Sequence, residues 1–318
     1  MQRVTVLYIG GAPRSGGTVL GRILGGVPGF LYVGELQNLW FETIPDNEPC
    51  GCGQRFFACE FWSEVVKRLA DNSGRLDIPG LVRLHRSAAR ERHAPTLALF
   101  GHVPGDFTHA NLPRAYGAVT ARLYREIAEV SGASVVVDSS RVLGRGFMLA
   151  RLSEIDLKVI QLVRDARAVA FSSTRQKVQF DTTEGRKYLP WRRPLSSALS
   201  WTWLNFWCEK LCASRSGKPG SVRLRYEDLV AAPAESITRV LAALGLGASD
   251  LGFIQGRTLR LGVSHAVSAN PVKFVVGEVE LRLDDEWRTA MKARTRRLVT
   301  AVTWPLLRRY GYPLWRSW

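Results

Sequence analysis

Near the N-terminus, between an apolar run and a helical pattern, stands Gly11-Ala12-Pro13-Arg14-Ser15-Gly16-Gly17-Thr18. Glycines in such a loop let successive backbone N–H groups turn toward one point, and the helix that follows adds the positive end of its dipole. The product is a nest for an anion. Set against the phosphate-loop pattern G-x-x-x-x-G-K-[ST], the segment agrees at Gly11, Gly16 and Thr18 and carries Gly17 in the lysine position. A nucleoside triphosphate enzyme needs that lysine on its β and γ phosphates, usually with a carboxylate for Mg²⁺. The only side-chain cation here is Arg14, so the loop suits a phosphate and is poorly made for a triphosphate.

A second constellation is Arg164-Asp-Ala-Arg-Ala-Val-Ala-Phe-Ser172. Arg164 closes a buried-strand run, and ligands collect at the C-terminal ends of strands in open α/β sheets. Ser172, eight residues on, is about two turns into the next helix and can face the same way. An arginine and a hydroxyl converging on one point suit a dianionic phosphate. The competing reading is an arginine that merely pairs with Asp165 at a helix cap.

The elements that must position these groups are legible in outline. Residues 4–9, 134–138, 157–163 and 221–229 read as strands, the middle two as continuous apolar runs of buried-strand length. Helical patterns follow at 18–24, 165–175 and 195–215, and another starts near Pro233, a residue favoured in a first turn. Strands alternating with helices predict an α/β fold, a central parallel sheet flanked by helices, in one domain spanning 1–318. Residues 72–111 resist assignment. The polar segment 176–194, with Trp191-Arg-Arg-Pro194, reads as an insertion of the length used for lids.

Composition narrows the partners. Of 318 residues 46% are hydrophobic and 23% charged, enough apolar material for a large core and too little charge for wholesale disorder. The net charge of +16, with thirty-six arginines among the 44 basic residues, asks for an anionic partner. No run reaches the roughly 18 apolar residues of a membrane span, and the short apolar start runs straight into the glycine loop, unlike a signal peptide. A cytoplasmic protein with reduced thiols is expected. Cys50, Cys52 and Cys59 lie together, but no histidine is near them in sequence to complete four ligands, so no metal is expected. Cys208 and Cys212, four apart, read as one face of a buried helix.

Strand-G-A-P-R-S-G-G-T resembles the 5'-phosphosulfate loop of the sulfotransferases, in the branch of the tyrosylprotein and many bacterial enzymes, whose pattern is G-x-P-R-S-G-[TS]-[TS]. Gly17 departs from it, removing one hydroxyl donor. VRDARAVAFSS resembles the family's 3'-phosphate site, which implies that Arg164 and Ser172 hold that phosphate. RYEDL matches a segment whose tyrosine, here Tyr226, lines the nucleotide. Residues 265–274, HAVSANPVKF, resemble the H-x-x-x-G-N-P-x-R-F loop that closes over it, with Asn270 and Lys273 in the binding positions and Ala269 replacing the glycine. VVVDSSR resembles V-[VI]-D-x-S-K, with Arg141 where lysine is common.

The resemblance implies a P-loop-containing sulfotransferase-like fold and 3'-phosphoadenylyl sulfate (PAPS) as donor, without metal. The sulfuryl group would pass to a hydroxyl or amine of a small molecule, glycolipid or peptide. Gly34-Glu35 stands where tyrosylprotein sulfotransferases carry their proposed base, so Glu35 is the implied base, with His102 and His109 as competitors. Arg14, helped by Arg141, would neutralise the leaving phosphosulfate oxygen, and the loop residues Pro13, Arg14, Ser15, Gly16, Gly17 and Thr18 would cradle the phosphate. Acceptor contacts are expected from residues 40–116 and 176–194. Two other classes compete: a phosphotransferase, which wants lysine at position 17, and a nucleic-acid-binding module, which wants its basic residues on one face.

Overall fold

The structure, a computed structural model, describes residues 3–70, 76–88, 90–100, 111–175, 178–182, 185–215, 220–247 and 250–314. Its strands are β1 (Val4–Gly10), β2 (Phe30–Gly34), β3 (Val135–Asp138), β4 (Ile155–Val163), β5 (Val178–Thr182), β6 (Gly185–Tyr188), β7 (Ser221–Arg225), β8 (Ile254–Gln255), β9 (Thr258–Leu261) and β10 (Gly277–Glu280). β1, β2, β3, β4 and β7 form one sheet in the order β2-β3-β1-β4-β7, and every pair in it is parallel.

The alternation of side chains explains why this sheet is covered on both faces. Along β1, Val6 and Tyr8 enter one apolar layer while Leu7 and Ile9 enter the other; along β4, Val159 and Val163 part from Ile160 and Leu162 in the same way. The first layer packs against the helices Asn111–Ser131, Leu143–Leu149, Pro194–Ala213 and Ala293–Arg309, the second against Gly17–Leu24 and Pro233–Leu244. Cys208 is buried on the helix Pro194–Ala213 and Cys212 half-buried one turn on, as the spacing of four implies.

Two boundaries differ from expectation. The strand read over 221–229 stops at Arg225, and Tyr226–Ala231 is helical, with Glu227 and Asp228 in its first turn, where the helix dipole favours acids. Phe30–Gly34, not among the expected strands, is the edge strand β2. Within 176–194 the chain forms the antiparallel hairpin β5–β6.

Parallel strands all end at the same edge. That edge carries Glu35 after β2, Arg141 after β3, the glycine loop after β1, Arg164 after β4 and Tyr226 after β7. β1 is flanked by strands reached in opposite directions, the switch point where such sheets open a crevice. Strand order also sets which groups are neighbours: Glu35 with Arg141, and Arg14 with Arg164.

Candidate active site

The glycine loop is bent by residues with positive φ. Gly16, at +95°, precedes the helix Gly17–Leu24, and a Cβ on it would stand 2.5 Å from the Tyr226 ring, so only glycine lets the tyrosine cover the loop. Among the described residues four non-glycines have positive φ, and three of them, Arg14, Arg141 and Ser268, line a single cleft of about 360 Å³. Backbone held in so sparse a region marks positions that the surrounding structure over-determines, often for function.

That cleft gathers Pro13, Arg14, Gly16, Gly17, Thr18, Glu35, Arg141 and Asn270 from the residues singled out by sequence. Arg141 and Glu35, 106 residues apart, form an ion pair through Nη2 and Oε1. Burial raises the Glu35 carboxyl above the ordinary range, and the Arg141 guanidinium opposes the shift without cancelling it. Glu35 is held from behind: its N–H donates to the Val267 carbonyl (3.0 Å), and the Val267 N–H to that of Val33 (3.0 Å). This docking needs Gly34, whose φ is +85° and where a Cβ would meet the Val267 oxygen at 2.1 Å.

Arg14 crosses the loop and donates from Nη2 to the Ser172 carbonyl (3.0 Å), at the negative end of the helix Ala166–Ser173. Arg164 donates from Nη1 to the Arg14 carbonyl (3.1 Å) and pairs through Nη2 with the Asp284 carboxylate (3.2 Å), its guanidinium 4.7 Å over the Tyr226 ring. Asp165 does not take Arg164. It caps the following helix and pairs with Arg167 at 2.6 Å, so the helix-cap alternative falls to the next arginine. Burial and then the charges of Arg141 and Arg164 push the Arg14 pKa down. Three guanidiniums thus converge on one loop, which an anion would relieve.

The fit to a phosphate rests on more than charge. Arg14 Nε and Ser15 Oγ are buried with no hydrogen-bond partner among the described residues, and buried polar groups of this kind ordinarily have one. Arg164, Ser172 and Tyr226 stand behind the loop, outside the cleft lining, and reach it through Arg14 and Gly16. Thr18 Oγ1 accepts from the Asn270 N–H at 3.4 Å, tying the 265–274 segment to the loop.

Lys273, expected at the nucleotide, is not among the cleft residues. In the turn Pro271–Phe274 it is Val272 that lines the cleft, so the next side chain points away; the Lys273 ammonium is fully buried and donates to the Pro49 carbonyl at 2.7 Å. Sequence reasoning passed over Gln37, Asn38 and Ser268, all of which line the cleft, with Asn38 Nδ2 donating to Ser268 Oγ at 2.8 Å. Arg192, in the basic-aromatic cluster of the insertion, lines it too, beside Tyr188, Leu189 and Pro190. His102 and His109 lie outside the described residues.

A five-stranded parallel sheet with helices on both faces and an arginine-bearing glycine loop at its switch point defines an α/β class of fold. Within that class the chain belongs to the sulfotransferase family, whose profile matches residues 7–250. Two solved structures share the fold. The sulfotransferase domain from the curacin biosynthetic pathway is 18% identical, with a TM-score of 0.51 over 98% of this chain and 99% of that one. The sulfotransferase domain from the Synechococcus PCC 7002 olefin synthase is 19% identical, with a TM-score of 0.52 over 98% of this chain and 96% of that one. No curated protein sequence matches. Among the described residues no helix is long and apolar enough to cross a membrane.

Proposed function

We propose that this sulfotransferase moves the sulfuryl group of PAPS by in-line displacement onto a hydroxyl or amine of an acceptor, with Glu35 as general base. The observation that carries the reading is the convergence of Arg14, Arg141 and Arg164 on the loop beside a buried carboxylate. PAPS would supply an activated sulfuryl group and two phosphate ends, one for each half of this cationic rim. The loop N–H groups, Ser15 and Arg14 would hold the 5' end, and Arg164 with Ser172 the 3'-phosphate, where the dianion would compete with Asp284 for Arg164.

Glu35 is suited to take a proton because burial raises its basicity while Arg141 fixes its orientation. Arg14 and Arg141 would meet the negative charge that grows on the leaving oxygen, in a site whose donors are already in place. The far wall, from Gln37, Asn38 and Glu42 to Tyr188, Leu189, Pro190 and Arg192, offers the acceptor its approach. A small molecule, glycolipid or peptide acceptor fits this reading equally. A cytoplasmic setting belongs to the same proposal.

The test is calorimetry and thermal shift, with no metal added alongside the bisphosphate. Adenosine 3',5'-bisphosphate should stabilise the protein and ATP with Mg²⁺ much less. Arg164→Ala should lose most of that stabilisation, since a charge-assisted contact contributes about 1.5–3 kcal/mol. Equal shifts by both nucleotides, indifferent to the substitution, would overturn the donor assignment.

A further inference from the structure

The run Cys50-Gly-Cys52-Gly53, with Cys59, lacks a fourth ligand in its own neighbourhood, and the fold supplies one from 206 residues away. His265 Nδ1 lies 3.3 Å from Cys59 Sγ and 3.8 Å from Cys50 Sγ. The three sulfurs and a ring nitrogen of His265 all lie within 4.8 Å of one another. With Zn–S near 2.3 Å and Zn–N near 2.0–2.1 Å at tetrahedral angles, a sulfur and a nitrogen on one zinc ion stand about 3.6 Å apart, and two sulfurs about 3.8 Å. The observed spacings bracket the first of these values.

We propose that Cys50, Cys52, Cys59 and His265 form a structural zinc site. Four protein ligands fill a tetrahedral ion, leaving no position for substrate, which separates a structural site from a catalytic one. Cys50 and Cys59 are buried, while Cys52 and His265 are half-buried. The surroundings are those of a built centre. Phe61 lies against the imidazole, with ring centroids 4.9 Å apart, and Trp62 Nε1 donates to the His265 carbonyl at 2.8 Å. The turn closes on itself, the Gly53 N–H donating to the Cys50 carbonyl at 2.9 Å. Gly51 approaches the 264–266 segment closely, its N–H on the Ala266 carbonyl at 3.0 Å; a Cβ on it would stand 2.4 Å from Ser264 Oγ. Three thiolates and a neutral imidazole leave a zinc ion with one net negative charge. The buried Lys273 ammonium, on the carbonyl of the peptide that joins Pro49 to Cys50, supplies a nearby cation.

The position of the site says what it would do. His265 is two residues from Val267, which holds β2 and the Glu35 N–H, and five from Asn270 on the loop threonine. Zinc would lock the 50–59 knuckle to this segment and so brace the floor on which Glu35 stands, without touching the cleft.

The untagged protein, purified without chelator, should carry about one zinc ion per chain by elemental analysis. A mercurial thiol reagent should release it to a chromophoric chelator. Cobalt substituted for zinc should show thiolate-to-metal charge transfer and the intense visible bands of a tetrahedral ion. His265→Ala should lose most of the metal, His265→Cys should keep it, and Cys212→Ser should leave it unchanged. Should His265→Ala fail to fold, the mercurial release and the cobalt spectrum on the wild-type chain decide alone. A folded, metal-free protein that takes up no tetrahedral cobalt, or one with a Cys50–Cys59 disulfide in its place, would overturn the assignment.

Discussion

Substituting Glu35→Gln keeps shape and hydrogen-bonding reach while removing charge and basicity, and the structure gives opposite signs for its effects on stability and on rate. The carboxylate faces the Arg141 guanidinium, yet its pKa is raised, burial outweighing the attraction. A raised carboxyl binds its proton more readily folded than unfolded. Its contribution to stability is therefore complete below the unfolded value and is lost as pH rises through the folded one. At neutral pH burial disfavours the ionised form by more than Arg141 favours it, so the neutral glutamine should leave the protein at least as stable as wild type. Turnover should move the other way: a positioned base is worth about 10²–10⁴, or roughly 2.7–5.5 kcal/mol of barrier.

The assay pairs steady-state turnover at saturating donor with chemical denaturation and with calorimetric titration of adenosine 3',5'-bisphosphate. Binding of the bisphosphate should be undiminished or somewhat tighter, because Glu35 contributes only repulsion to an anion. Wild-type rate should fall as pH drops through the Glu35 pKa, at a pH above that of an ordinary glutamate, and this acid limb should be missing from the residual activity of the variant. Near-native turnover, or lost stability with turnover intact, would refute the reasoning and return the base to His102 or His109.

Two loop substitutions probe the cradle in opposite directions. Gly16→Ala forces a Cβ to within 2.5 Å of the Tyr226 ring at a φ of +95°, so about 1–3 kcal/mol of stability should be lost together with most bisphosphate affinity; urea denaturation and calorimetry measure both. Gly17→Ser meets nothing nearer than 3.9 Å, at a φ outside the left-handed region, and returns a hydroxyl donor to the loop. Its bisphosphate affinity should rise by up to about tenfold, the net worth of one hydrogen bond, and weaker binding would mean that position 17 does not face the ligand.

Legibility followed the range of the interactions. The glycine loop between β1 and the first helix could be read directly because its signal is local: glycines, one arginine and a helix start within eight residues. Arg164 was legible as the end of a buried strand, and strand order then placed it on the Arg14 carbonyl. Glu35 and Arg141 were each singled out by resemblance, but their pairing across 106 residues had no signal, since nothing near either residue marks the other. The direction of the Lys273 side chain was hidden for a related reason: one position from the cleft residue Val272 in sequence, it reaches the Pro49 carbonyl in the turn Pro271–Phe274. The histidine that completes the cysteine cluster had no local signal at all, because the contact exists only once Val267 has docked on β2.

The arrangement of charge at the rim has a consequence for how the proposed donor would enter. Arg14 and Arg164 repel one another, and the fold holds them by giving each an oxygen: the Ser172 carbonyl for Arg14, and the Arg14 carbonyl with the Asp284 carboxylate for Arg164. Carbonyls offset desolvation without cancelling charge, so of these two arginines only Arg164 has a carboxylate partner among the described residues, Asp284. A 3'-phosphate dianion at that arginine brings two charges where Asp284 brings one, and charge-assisted contacts of this kind are among the stronger ones available. On this reading Asp284 sets a threshold that a dianion passes and a neutral ribose hydroxyl does not. Discrimination between the bisphosphate and ATP then arises from competition with an internal carboxylate as well as from contact with Arg164.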